Sequence, residues 1–177
     1  MNISLKGKKA LVGGSSKGIG EAIARQLADS GASVTLIARS EGRMQEIIDE
    51  MDSSQGQKHQ YLSVDFTDFE AYKAKISAYF ETNTVDILVN NTQGPEGGGA
   101  LEKNVEDYQN AFDLLFKSVV YTTELALKHM QKNKWGRIIN IASISVKEPL
   151  NYLALSNTIR AAVVTWAKSL AYDVAED

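Results

Sequence analysis

The residues best placed to do chemistry are Gly13-Gly14-Ser15-Ser16-Lys17-Gly18-Ile19-Gly20. Glycines at this spacing let the backbone turn tightly and approach a ligand closely. A helix starting on the turn would add unpaired N–H groups and a positive dipole end, the combination that holds a phosphate. Such a motif carries meaning only between a strand and a helix. Both neighbours fit: Lys9-Ala10-Leu11-Val12 is short and apolar, and Glu21–Ala28 carries Ile23 and Leu27 at helical spacing. A glycine-rich turn without a ligand is the alternative, but the context points to a dinucleotide.

Stepping outward, the chain alternates strand and helix. Lys8–Gly13 reads as the first strand and Gly18–Asp29 as the first helix, closed at Ser30-Gly31 where glycine suits a left-handed cap. Ser33–Ala38 is a second strand, apolar on both faces as parallel strands tend to be. Ser40–Ser53 is helical, with Met44, Ile47, Ile48 and Met51 on one stripe and an exit loop to Gln57. His59–Val64 is the third strand, ending at Asp65; Thr67–Glu70 has capping-box spacing before a helix bearing Tyr72, Ile76, Tyr79 and Phe80.

Val85–Asn90 is the fourth strand, and Gln93–Gly99 reads as a mobile loop. A long helical region over Asn104–Gln131, bent near Lys117, leads to a fifth strand at Gly136–Ala142 and a last helix at Leu153–Ala175. Repeated βα units without linkers imply one α/β domain over residues 1–177, a doubly wound parallel sheet of the Rossmann type. Crossovers of one hand give strand order 3-2-1-4-5.

At 177 residues, 44% hydrophobic, the chain can bury a proper core. A net charge of −3 offers no basic field for nucleic acid or an anionic membrane, and no cysteine is present for a disulfide or a thiolate metal site. No metal site is expected. Met1–Lys6 lacks the apolar core of a signal peptide, no apolar run approaches a membrane span, and the expected location is the cytoplasm.

The chain resembles the short-chain dehydrogenase/reductase family from Leu5 almost to Asp177, nearest to its 3-oxoacyl-acyl-carrier-protein-reductase-like members. Gly13–Gly20 resembles the family's Thr-Gly-x-x-x-Gly-x-Gly turn, with Gly13 in the threonine place. Val64-Asp65 resembles the acid after strand three. Leu88–Asn91 resembles the Asn-Asn-Ala-Gly element, altered here to Asn90-Asn91-Thr92-Gln93-Gly94. Gly136–Ser143 resembles the strand that ends at the catalytic serine.

The resemblance implies that Gly14, Ser16, Lys17, Gly18, Ile19 and Gly20 bind a nicotinamide dinucleotide. Its subtype is argued from charge. An acid at the end of strand two accepts from the ribose hydroxyls of NAD, but Ala38 stands there and Arg39 follows. Arginine binds phosphate oxygens with two prongs, and Lys17 would lie on the same side. Two cations and no acid favour NADP(H); the alternative is that both are solvated loop charges. By resemblance, Asp65 would bind the adenine amino group with the Phe66 backbone alongside, or serve as a helix-start acid, and both can hold. Asn90 and Asn91 divide between binding the ribose and tying strand four to its neighbours.

The family's catalytic residues do not all carry over. Thirteen residues beyond Ser143 stands Ser156, in the place of the proton-donating tyrosine, and Arg160 takes the lysine's place. Trp166–Ala171 confirms the register, and Leu115 falls where the relay asparagine should be. A serine hydroxyl is a far weaker acid than a phenol of pKa ~10; Arg160 keeps its charge and can hold the ribose or polarise an oxygen, but does not exchange protons near neutral pH. Tyr152, one turn before Ser156, is an alternative acid or packs against or caps the last helix; His59 and His129 read as structural.

Two functions are therefore expected: a carbonyl reductase using hydride transfer from NADPH, or a nucleotide-binding regulatory relative without turnover. The partners implied are a small-molecule or acyl-carrier-linked carbonyl substrate and further copies of the chain. Family members continue into further strands, so the chain reads as C-terminally truncated, with strand five an open edge. By resemblance, a homodimer or homotetramer forms through the last two long helices, whose apolar surface exceeds one face.

Overall fold

The computed structural model describes residues 3–176; Met1, Asn2 and Asp177 lie outside it, as does that part of the leader expectation resting on Met1 and Asn2. Five parallel strands form one sheet in the order β3-β2-β1-β4-β5, as the crossover rule requires. They are β1 (Lys9–Gly13), β2 (Ser33–Ala38), β3 (Gln60–Ser63), β4 (Ile87–Asn90) and β5 (Arg137–Asn140). The helices are α1 (Gly18–Asp29), α2 (Glu41–Glu50), α3 (Phe69–Thr82), α4 (Val105–Phe112), α5 (Ser118–Lys132) and α6 (Ala154–Val174).

Alternate strand residues feed two cores. Ala10, Val12, Val34, Leu36, Ile87 and Val89 pack with Ala24 and Ala28 of α1 and Met44 and Ile47 of α2. Leu11, Ile37 and Leu88 face the other way, onto Ile76 of α3, Ala126 and Met130 of α5, and Leu155 and Ile159 of α6. Fully buried side chains of this size each contribute about 1.5–3 kcal/mol, so both faces hold the sheet. β5 pairs with β4 alone, and Ile139 on it is exposed.

Several boundaries are tighter than the sequence suggests, for local reasons. Ser40 and Met51 are extended and stop α2 at both ends. His59 leaves β3 because its ring is used: Nδ1 accepts from the Val34 amide at 3.2 Å, and Nε2 donates to the Asp52 carbonyl at 2.9 Å. That confirms its structural role. Asp68, not Thr67, caps α3, its carboxylate accepting from the Ala71 amide at 3.0 Å. Gly31 adopts φ +97°, as the left-handed cap requires.

The expected bend near Lys117 is a π-helical turn over Asp113–Lys117, between α4 and α5. The Gln93–Gly99 segment is not a free loop at its end. Gly98 donates to the Tyr152 carbonyl at 2.7 Å and accepts from the Ala154 amide at 3.0 Å, which pins it to the start of α6.

Candidate functional site

The carboxyl ends of β1, β2, β4 and β5 share one rim, where ligands bind in doubly wound sheets. At β1 the glycine turn folds onto itself. Gly14 takes φ +56° and Gly18 φ +58°, both in the left-handed region. A Cβ on Gly20 would overlap the Gly14 carbonyl oxygen, whereas one on Gly18 would meet nothing within 4 Å. Gly20 therefore closes the turn and Gly18 opens it outward. The Asn91 amide donates to the Gly13 carbonyl at 3.1 Å and reaches that of Gly14 at 3.5 Å, tying β4 to the turn.

Ser15 escaped the sequence reading. It is buried, its Oγ accepts from the Ile37 amide at 2.9 Å, and its own amide donates back to the Ile37 carbonyl at 3.2 Å. Its only signal in the sequence is a small hydroxyl inside a glycine turn between an apolar strand and a helix. Ser16 is half-buried and Lys17 exposed; Ile19 is 62% exposed beside them. The first turn of α1 leaves the Gly18, Ile19 and Gly20 amides without carbonyl partners in the helix. Spare N–H groups, a positive dipole end and open space over Gly18 fit a diphosphate.

At β2, Ala38 is 5% exposed and the Arg39 side chain 62% exposed. The Arg39 guanidinium stands 4.0 Å from Asp65, a loose contact in water. No carboxylate lies within 4 Å of Lys17 Nζ among the described residues. Asp65 accepts from the Thr67 amide at 2.9 Å and its hydroxyl at 2.7 Å. Those bonds, and more weakly the Arg39 charge, hold its carboxyl below the usual carboxylate range. The same bonds order the loop before α3; Phe66 is buried against Tyr72, ring centroids 5.1 Å apart.

Asn90 is buried, and its amide nitrogen is committed to Thr123 at 3.0 Å and Asn140 at 2.8 Å. Its tying role is thus explicit. Tyr72, beneath the same rim, bonds to Thr122, and burial pushes its phenol well above the ordinary tyrosine value, so it is no acid for catalysis.

At β5 and α6 the structure brings Ser156 and Arg160 together but not Ser143. Arg160 Nε donates to Ser156 Oγ at 3.2 Å and Nη1 to the Ile141 carbonyl at 2.7 Å. Ser156 is 9% exposed. Ser143 turns instead to Ser145, accepting from its amide at 3.2 Å and its hydroxyl at 2.9 Å. Leu115, in the π turn, lines a small cavity with Arg160, Asn90, Thr92 and Asn140.

Tyr152 does not cap α6: it is 59% exposed, and the helix starts at Ala154 behind Leu153 without a side-chain cap. His129, at the end of α5, stands 3.4 Å from Asp86, away from this rim.

A groove of about 250 Å³ lies elsewhere, between α5, β5 and α6. Its walls are chiefly Leu127, Met130, Ile138, Leu170 and Val174, with no ionisable side chain. Among the described residues no group of acids and histidines could hold a metal ion, and no helix is long and apolar enough to cross a membrane.

The family model described as short chain dehydrogenase matches residues 8–177. The chain is 32% identical over 181 residues to a 3-oxoacyl-[acyl-carrier-protein] reductase of Aquifex aeolicus, covering 99% of this chain and 71% of that one. Its fold superposes on L-sorbose reductase from Gluconobacter frateurii, solved with NADPH and L-sorbose, with TM-score 0.88 and 31% identity. A 3-oxoacyl (acyl-carrier-protein) reductase of Agrobacterium tumefaciens, solved with NADP bound, gives the same two values. This chain is covered to 98% and 97% in those comparisons and spans 66% of either solved chain. On the matched family model and the sheet order together, the chain belongs to the short-chain dehydrogenase/reductase family.

Proposed function

We propose that this chain is an NADP(H)-binding oxidoreductase whose carbonyl reduction is slow. The observation that carries the cofactor choice is the end of β2: a buried Ala38 that can accept nothing, followed by an exposed Arg39, with Lys17 exposed across the turn. Gly14, Ser16, Gly18, Ile19 and Gly20 would hold the diphosphate, Arg39 and Lys17 the extra phosphate, Asp65 and Phe66 the adenine end, and Asn91 the turn itself. Bound NADPH supplies a hydride.

The substrate class that the relatives suggest is a small or acyl-carrier-linked carbonyl compound of the 3-oxoacyl kind. Ser143 and Ser156 offer hydroxyls and Arg160 a fixed positive charge to its oxygen. Neither chemistry replaces a phenol that gives up a proton near neutral pH. A second reading, a nucleotide-binding regulatory relative without turnover, is favoured by Arg160, which stands in the lysine's place, donates to Ser156 and the Ile141 carbonyl, and does not exchange protons near neutral pH. The 177 residues act as one nucleotide-binding domain, and copies associate through α5 and α6.

Calorimetric titration tests the first part. NADPH is expected to bind more tightly than NADH by about 1–3 kcal/mol, the scale of charged hydrogen bonds to one phosphate, and Arg39→Ala to remove most of that. Equal affinities would overturn it. NADPH oxidation over a carbonyl panel tests the second: activity that survives Ser156→Ala better than Ser143→Ala supports slow reduction, and no turnover supports the regulatory reading.

A further inference from the structure

Arg160 is a half-buried cation that nothing nearby neutralises. Both its acceptors, the Ser156 hydroxyl and the Ile141 carbonyl, are uncharged. No carboxylate stands within 4 Å of it among the described residues. Burial alone lowers its pKa, with no charged neighbour contributing, and arginine keeps its charge regardless. Removing an unpaired charge from water is costly, and the usual remedy is an anion.

The space beside it is built for one. A guanidinium has five N–H donors, of which Arg160 uses two. Asn140 gives its oxygen to Asn90, which leaves its amide nitrogen as a further donor on the same cavity. Leu115, Val119 and Val163 supply apolar wall, and the lining contains no acid. The cavity measures about 10 Å³, the room of one water-sized group, and exposed Ala142 marks its mouth. One oxygen of a carboxylate fits that space with the rest of the ligand outside. A carboxylate can also pair with the guanidinium edge through two parallel N–H···O bonds.

We propose that Arg160, with Asn140, forms a carboxylate-binding site, so that the ligand of this pocket is a small carboxylate-bearing carbonyl compound, which narrows the substrate class above to its small members and sets the acyl-carrier-linked ones aside. That this ligand is a substrate rests on the NADP(H) reading above; the anion site rests on Arg160 and its cavity.

The test is fluorine NMR of trifluoroacetate with the intact protein at constant ionic strength, with and without NADPH. Its resonance is expected to broaden on binding, to sharpen when acetate competes, and to ignore acetamide. Arg160→Gln is expected to weaken binding by roughly tenfold or more, as loss of a buried charge partner does. Asn140→Asp keeps the acceptor for Asn90 and adds a charge to the pocket, so it is expected to abolish binding without removing Arg160. Competition by acetamide as strong as by acetate, or unchanged binding in both folded variants, overturns the proposal. NADPH affinity is measured by calorimetry on the same samples. If NADPH fails to bind while Arg160-dependent trifluoroacetate binding persists, the anion site stands and the cofactor reading falls.

Discussion

Two glycines two positions apart, Gly18 and Gly20, should fail in different ways when given a methyl group. At Gly20 a Cβ overlaps the Gly14 carbonyl oxygen and comes within 2.8 Å of the Gly14 carbonyl carbon and of Asn91 Nδ2. These are backbone and a side chain held by its own hydrogen bonds, so neither yields cheaply. Overpacking of this kind costs typically about 1–3 kcal/mol, and helix propensity returns up to ~1. With the clash at the high end, a net loss of about 2 kcal/mol is expected for Gly20→Ala. For a chain of this length that lowers the thermal midpoint by roughly 4–8 °C.

At Gly18 the added methyl meets nothing. Its cost is the left-handed backbone at φ +58°, about 1–2 kcal/mol for an L-residue. The methyl projects into the space a phosphate would use. At about 100-fold excess over Kd, NADPH should stabilise the wild type by about 2.7 kcal/mol, and Gly18→Ala should lose most of that. Thermal unfolding with and without NADPH reads both effects. An unchanged apo midpoint in Gly20→Ala, or the full NADPH shift in Gly18→Ala, would refute the account of the turn.

Two more outcomes follow from side-chain networks away from the turn's backbone. Burial raises the Glu21 carboxyl pKa, but hydrogen bonds from Arg25 and Arg43 overcome that and hold it below the usual range. Its stabilisation is therefore full above the unfolded pKa and lost as pH falls through the folded one. Glu21→Gln should cost about 1 kcal/mol at neutral pH and nothing well below about pH 4 in denaturant unfolding; a pH-independent difference would contradict it. In the buried cluster, Thr122 keeps its 2.9 Å bond to the Ser118 carbonyl when Tyr72 becomes Phe, whereas Thr122→Val leaves the Tyr72 hydroxyl only the 3.4 Å contact to that carbonyl. Tyr72→Phe should cost about 1 kcal/mol and Thr122→Val more, up to about 3; the reverse order in unfolding would sink this reading.

What the sequence showed plainly was whatever depends on neighbours along the chain. The glycine turn, the helix it starts and the sheet order follow from local pattern and crossover hand. The π turn at Asp113–Lys117 was legible as a bend, though not as its kind. What depended on distant partners was not. Asn90 is committed by Thr123 and Asn140, 33 and 50 residues away. The glycine-rich loop after β4 reads as mobile until Gly98 meets Tyr152 and Ala154. Tyr152 stands four residues before Ser156, but α6 begins only at Ala154, so the spacing alone does not place its side chain.

Ser156 and Arg160 are best understood as one change rather than two. Ser156 is buried on the turn of α6 that also carries Ile159 into the core. Its small hydroxyl is what Arg160 Nε reaches, and with that bond in place Nη1 meets the Ile141 carbonyl at the end of β5. A lysine at 160 would bring a compact point charge and lose the planar fork that spans both acceptors. Neighbours sharing a hydrogen-bond network do not act additively, so the serine and the arginine support each other. Together they join α6 to the end of β5 and leave a fixed positive charge at the rim, where the resemblance leads one to expect a proton donor.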